Sequence, residues 1–226
     1  MYKVILIVFV LFVLCGNGFG AGDLCLEKYV EDIKRYSFWY FGVEYPYWYS
    51  LGLIKTESRC VWRRSLDGLG SVGVGQITVR FWDIELRKQG LEFYKEEGHE
   101  HHAGAICYIL SKVYESAVDL CYVCNNCHKR NGIIDKKRLW IVYQGYNRNI
   151  VKLNREVVKA GSCDWERWKE VCNEVDVCVW RNKDGSCRQW RNGCEINSEY
   201  SKKVYESGIF YKRTLGINSR DIYVFY

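Results

Sequence analysis

Apolar residues recur three and four positions apart along much of this chain, the spacing that lays side chains on one face of an α-helix. Tyr47, Leu51 and Ile54 form one such stripe, and its next position is Glu57, an acid carried onto a face otherwise suited to burial. Ala103, Ile106, Leu110, Val113 and Ala117 form a second stripe. Leu139, Val142, Tyr143 and Tyr146 share a face of a helix predicted over 136–149. Thr78 suits the N-cap of a helix running to Gly90, with Val79, Trp82 and Leu86 inward and Asp83 and Glu85 also on it. An N-terminal helix over 23–35 with a loop over 38–44, and a final helix resuming near Tyr200, complete a mainly α fold. Asp184-Gly185, between the echoed Trp180-Arg181-Asn182 and Trp190-Arg191-Asn192, marks one β-hairpin.

One apolar run has no helical period. Val4 to Leu14 follows Lys3 without a polar break and is short for a bilayer span, and Gly18-Phe19-Gly20 supplies small residues at a cleavage site. Residues 1–20 therefore read as a secretory signal peptide, leaving no stable membrane span after cleavage. Acylation at Cys15 would require a small residue just before it, and Phe12-Val13-Leu14 offers none; an uncleaved anchor is the other alternative.

Export changes how the cysteines read. Of the 12 in the chain, Cys15 leaves with the leader, and the remaining eleven are a density suited to disulfides in an oxidising compartment, secreted or periplasmic. An odd count leaves one unpaired or paired between chains. The 226 residues suit one domain or one plus a small appendage. The net charge of +6 falls to +5 without Lys3, favouring an anionic polymer or surface. No basic helix or zinc-finger spacing points to nucleic acid, and the oligomeric state is not legible.

Glu57 is the candidate for chemistry. A carboxyl group withdrawn from water has its ionised form disfavoured, so it holds a proton near neutral pH and can give it to a leaving group. The competing reading is an ion pair with Arg59, Arg63 or Arg64 at a frayed helix end. Downstream, Gly68, Gly70 and Gly73 match G-x-G-x-x-G, but the preceding Cys60-Val61-Trp62-Arg63-Arg64-Ser65-Leu66-Asp67 is no buried strand, so a dinucleotide site is rejected. These glycines instead permit left-handed backbone and close approach to a ligand.

Glu57-Ser58 followed by Gly70-Ser71-Val72-Gly73-Val74-Gly75-Gln76-Ile77 resembles the signature of the soluble lytic transglycosylase family, a branch of the lysozyme-like fold. Ala103-Gly104-Ala105-Ile106-Cys107-Tyr108-Ile109-Leu110 is similar to the family's third helical segment, and Gln144-Gly145-Tyr146-Asn147 to its tyrosine-asparagine motif. Two departures stand out: Asn149 in place of a glycine, and Gly75 in place of a bulky apolar residue. The resemblance implies a lysozyme-like catalytic domain over 21–160, completed by a helix and tail over 197–226. The Cys/Trp-rich segment 161–196 is then a disulfide-stapled, hairpin-containing insertion. Its tryptophans either extend a glycan groove or pack on the disulfides in place of a larger core.

The resemblance also implies an activity. In that family one glutamate protonates the glycosidic oxygen of peptidoglycan between MurNAc and GlcNAc, then takes the proton from the sugar's own 6-hydroxyl, leaving a 1,6-anhydro end. Glu57 would do both, with no cofactor and no metal, while Ser58, Ser71, Gln76, Tyr146 and Asn147 bind the glycan strand and Tyr146 approaches Glu57 to hold or polarise it; the other reading of Tyr146 is a core tyrosine whose hydroxyl bonds to backbone. A hydrolase would need a second carboxylate, for which Asp67 and Asp83 are available. A wall-binding protein without activity is a further alternative.

Two motifs compete. His99-Glu100 begins a zinc-protease pattern, but the position that must be histidine is Ala103, which favours a solvated helix start. Cys124-x-x-Cys127-His128 has the spacing of covalent haem attachment, of a zinc knuckle, or of ordinary disulfides in a stapled loop.

Overall fold

A computed structural model describes residues 23–65, 70–118, 139–148, 150–173, 175–182 and 184–217, and the side chains of Trp180 and Arg181 are not described. The predicted leader with Cys15, the candidate Asp67, the Cys121 to His128 loop, Asn149 and the final tail lie outside the described residues.

Eight helices and two small antiparallel sheets make up the described chain. Helix α1 spans Leu24–Phe41 and α2 spans Tyr47–Ser58. Strands β1 (Ser71–Val72) and β2 (Ile77–Thr78) form a short hairpin leading into α3 (Val79–Lys88). Helices α4 (His99–Val118), α5 (Leu139–Asn147), α6 (Ile150–Ala160) and α7 (Trp165–Val171) follow. Strands β3 (Asp176–Arg181) and β4 (Cys187–Asn192) precede the long α8 (Gly193–Thr214).

The centre of the core is α2. Trp48, Tyr49, Leu51, Leu53 and Ile54 are all buried, so this helix is apolar all round rather than striped, and α1 and α8 pack on it. The hydroxyls of Ser50 on this helix and of Tyr45 just before it lie 2.9 and 2.6 Å from that of Tyr143. The approach of α8 depends on two glycines. A Cβ on Gly52 would meet the Val204 carbonyl oxygen at 2.3 Å, and one on Gly208 would meet the Trp48 ring at 3.0 Å.

The C-terminal end of α2 is tied twice. Asp23 caps α1 by accepting from the Cys25 amide, and also accepts from Lys55 Nζ and the Tyr211 hydroxyl, joining α1, α2 and α8 at one carboxylate. The Cys25–Cys60 disulfide fastens the same region just beyond the C-terminus of α2. There Arg59 and Cys60 both take left-handed backbone, φ 57° and 65°, which stops the helix immediately after Glu57 and Ser58.

The expected elements differ mainly at their edges. The N-terminal helix runs unbroken to Phe41, and Gly42 at φ 86° ends it where a loop over 38–44 is expected. Thr78 has the extended backbone of an N-cap, yet its hydroxyl lies 2.9 Å from that of Ser71 and bridges the hairpin instead. The second hairpin turns at Gly185, φ 86°, with Cys178–Cys187 bonded across it and Cys172–Cys194 joining the end of α7 to the first turn of α8. Its tryptophans divide: Trp168 is buried against Trp140, whereas Trp190 on β4 is 61% exposed. Among the described residues Cys107 is the free cysteine, buried in α4, and burial pushes its thiol up to about 12. The three disulfides between described residues, with no described helix long and apolar enough to cross a membrane, are compatible with export.

Candidate active site

The last turn of α2 delivers Glu57 into a cleft of about 720 Å³ walled by the β1–β2 hairpin, α3, α4, and the chain from α5 into α6. Burial raises the Glu57 carboxyl to about 7, against the opposing pull of a hydrogen bond from Tyr200 and the charge of Arg63. The Tyr200 hydroxyl, from α8, donates to Glu57 Oε1 at 2.5 Å. Burial and the nearby Glu57 charge hold the Tyr200 phenol well above its ordinary range, so it remains a donor when Glu57 ionises. The ion-pair alternative is not what forms: Arg63 donates to the Glu57 backbone carbonyl at 2.6 Å, leaving the carboxyl to Tyr200.

The hairpin forms one wall of the cleft. Gln76 has φ 49°, and its amide nitrogen donates to the carbonyls of Gly73 and Arg63 at 2.8 and 3.1 Å, which fixes both the turn and the side chain. Gly75 is required by close approach, because a Cβ there would lie 2.6 Å from both Ile106 Cγ1 and the Tyr146 hydroxyl. Tyr146 donates to the Gly75 carbonyl at 2.8 Å, so the space a bulky residue would fill at position 75 is taken by the tyrosine. Tyr146 is expected to approach Glu57 and hold or polarise it, or to bond to backbone as a core tyrosine; its phenol does feel the Glu57 charge, but its hydroxyl goes to backbone. It anchors the hairpin, and the direct partner of the acid is Tyr200.

Five residues singled out from the sequence, Glu57, Ser71, Gln76, Tyr146 and Asn147, line this one cleft. Ser58 does not join them. Its side chain is 2% exposed, its hydroxyl donates to the Ile54 carbonyl and accepts from the Cys60 amide, and so it finishes α2 rather than facing the cleft. Asp83 is also elsewhere, paired with Arg87 at 2.8 Å along α3. Among the described cleft residues Glu57 is the sole carboxylate.

Two of the histidines in the first turn of α4, His101 and His102, bond to backbone. His102 Nε2 sits 2.7 Å from the Lys95 carbonyl, so that nitrogen carries the proton, and His101 Nδ1 accepts from the Glu92 amide at 3.3 Å. The three-residue grouping with metal-ligand spacing among the described residues is Asp23, Cys25 and Cys60, and both of its sulfurs are committed to a disulfide.

Several cleft residues escape sequence reasoning. Phe81 and Trp82 come from α3, Lys112, Val113 and Ser116 from α4, and Arg148 from the link between α5 and α6. Arg148 makes two hydrogen bonds to Glu156, at 3.0 and 3.2 Å, and Glu156 also accepts from Trp168 Nε1 at 2.8 Å. No helical period joins positions 148, 156 and 168, so no pattern announces that cluster. Tyr200 is different: Tyr200, Val204, Gly208 and Tyr211 fall three and four apart, a stripe that places its ring toward α2. Comparison with models of protein families, with curated proteins and with solved structures returned no match.

Proposed function

We propose that this chain is a peptidoglycan lytic transglycosylase with a lysozyme-like catalytic domain, in which Glu57 is general acid and then general base. The reading rests on one observation above others: a carboxyl group raised to about 7 in a cleft whose described lining holds no second carboxylate.

Such a site suits chemistry that needs one acid. Glu57 gives its proton to the glycosidic oxygen as the bond from C1 of MurNAc breaks, and the GlcNAc side leaves as an alcohol. The Glu57 carboxylate then takes the proton of the MurNAc 6-hydroxyl, whose oxygen closes on C1 to form the 1,6-anhydro ring. Glu57 ends protonated and no water is consumed. Tyr200 stabilises the intervening carboxylate by its hydrogen bond, and its own proton stays in place throughout. A hydrolase would require a second carboxylate at a set distance across the scissile bond.

Ser71, Gln76 and Asn147 supply hydrogen-bonding groups for acetamido sugars, and Phe81 and Trp82 supply ring faces. Ser58 has no part in this set. The segment 161–196 is read as an insertion between the cleft-forming helices and α8, with exposed Trp190 available to glycan and buried Trp168 serving the core. Export and the positive charge of the mature chain, the expectations from the sequence, support contact with an anionic wall polymer. The test is lysis of purified peptidoglycan by the mature protein beside Glu57→Gln. The variant should fold and bind yet release no fragments, and substantial residual cleavage by it would remove Glu57 from the role.

A further inference from the structure

We propose that Lys112 forms an anion subsite where the cleft opens to solvent, which takes a carboxylate carried as a substituent on the glycan strand. This rests on the glycan-cleaving reading above.

The face of α4 that lines the cleft consists of Ile109, Lys112, Val113 and Ser116, one helical stripe with a single charge on it. Two cations line the described cleft, Lys112 and Arg148. They differ in how their charge is met. Arg148 and Glu156 are a buried pair, 7% and 9% exposed at their side chains, so the arginine's charge is compensated inside the fold. Lys112 is 41% exposed, and its carboxylate partner, Glu115 at 2.9 Å, is 62% exposed one helical turn along the surface. An exposed pair of this kind contributes little and is readily exchanged for a better-placed anion. The ammonium also lies 5.5 Å from the Tyr108 ring centroid, which steadies the stem without neutralising the charge.

The surroundings of Lys112 suit such an exchange. Ile109, Val113, Ile150 and Val151 give this part of the cleft an apolar wall, where a lysine–carboxylate contact is less screened than in open water. A neutral polysaccharide would gain nothing from that charge. A strand bearing carboxylates would gain a charge-assisted hydrogen bond and, through methyl groups next to them, contact with the wall. Peptidoglycan carries carboxylates of two origins: those of the stem peptide and, on a MurNAc whose peptide has been removed, the lactyl group, whose carboxyl otherwise forms the amide to the peptide.

The test measures binding with the acid removed, so that it does not depend on turnover. Glu57→Gln, and the same chain with Lys112→Gln or Lys112→Arg added, are titrated calorimetrically with three probes. These are strands bearing stem peptides, the same strands stripped to the lactyl carboxylate, and chito-oligosaccharide of matched length. Lys112→Gln should weaken at least one of the two carboxylate-bearing probes roughly tenfold, the loss of one charge-assisted hydrogen bond, and leave chito-oligosaccharide unchanged. Lys112→Arg should restore the affinity, and added salt should narrow the difference. Loss on the stripped strands alone assigns the lactyl group, loss on the stem-bearing strands alone assigns the peptide, and loss on both assigns a subsite that takes either carboxylate. An equal effect on all three probes, no effect on any, or no binding of any would overturn the subsite. The products released by the protein without the Glu57 change are read separately: no cleavage, with charge discrimination intact, would refute the catalytic reading and leave the subsite standing.

Discussion

Glu57 and Tyr200 make the account testable at single side chains. Glu57 must carry its proton to act as an acid, and burial holds that proton to about pH 7. Cleavage should therefore fall as pH rises through about 7. The Tyr200 hydrogen bond favours the carboxylate and so lowers that value. Tyr200→Phe should move the alkaline limb of kcat/KM to higher pH while cutting the plateau rate roughly ten- to hundredfold. A rate loss with an unmoved limb would mean that Tyr200 only packs. Stability offers a check that needs no substrate. With a folded value near 7 against an ordinary 4.5, the native state binds more protons than the unfolded chain between those values, so this group makes the fold less stable as pH rises through that window. Glu57→Gln removes the effect. It should match the parent at about pH 4 and exceed it by on the order of 2–3 kcal/mol at about pH 8. A difference independent of pH, measured by urea unfolding, would show that Glu57 is not held protonated by the fold.

At the scale of elements, the site exists because α2 and α8 run in backbone contact. Gly→Ala in an exposed helix interior adds helix propensity, worth about 1 kcal/mol. At Gly52 the added methyl would meet a backbone oxygen at 2.3 Å, so the steric term should win. Gly52→Ala should destabilise the fold by roughly 1–3 kcal/mol in urea unfolding and reduce cleavage by drawing Tyr200 away from Glu57. A neutral or stabilised variant would mean that the two helices are farther apart than described. In the sequence Gly52 reads as a weak point in a helix, and its purpose appears only with Val204 and Gly208 alongside, more than 150 positions away. The stripes of α4 and α5 were legible because their period is local. So was the Asp184-Gly185 turn, where the chemistry of two adjacent residues sets the backbone. The end of α1 was legible in part, since Gly42 is a helix stop signal, whereas the packing of Phe38 and Phe41 on Tyr47 and Tyr45 that accompanies the unbroken course up to it joins residues on either side of that stop.

For the molecule as a whole, helical content, the second hairpin and a disulfide-bonded chain could all be read from spacing and composition. The cleft could be read in part. Glu57, Ser71 and Gln76 come from one continuous stretch, and Tyr146 with Asn147 from a second, so two local patterns mark one wall each. Ser58 could not be excluded from sequence, because the left-handed turn at Arg59 and Cys60 that draws its hydroxyl into the helix end has no glycine to announce it. The Arg148–Glu156–Trp168 cluster and the hydroxyl of Tyr200 depend on contacts between distant segments, which periodicity does not encode. Whether this assembly breaks a glycan with or without water is the central claim, and the ends of the released fragments report it directly. Mass spectrometry of fragments from purified peptidoglycan, digested by the mature protein and in parallel by Glu57→Gln, should find anhydro-muramyl ends, lighter by one water than reducing ends and missing from the variant's digest. Reducing ends in their place would contradict the account, since they require an attacking water and a second carboxylate to activate it.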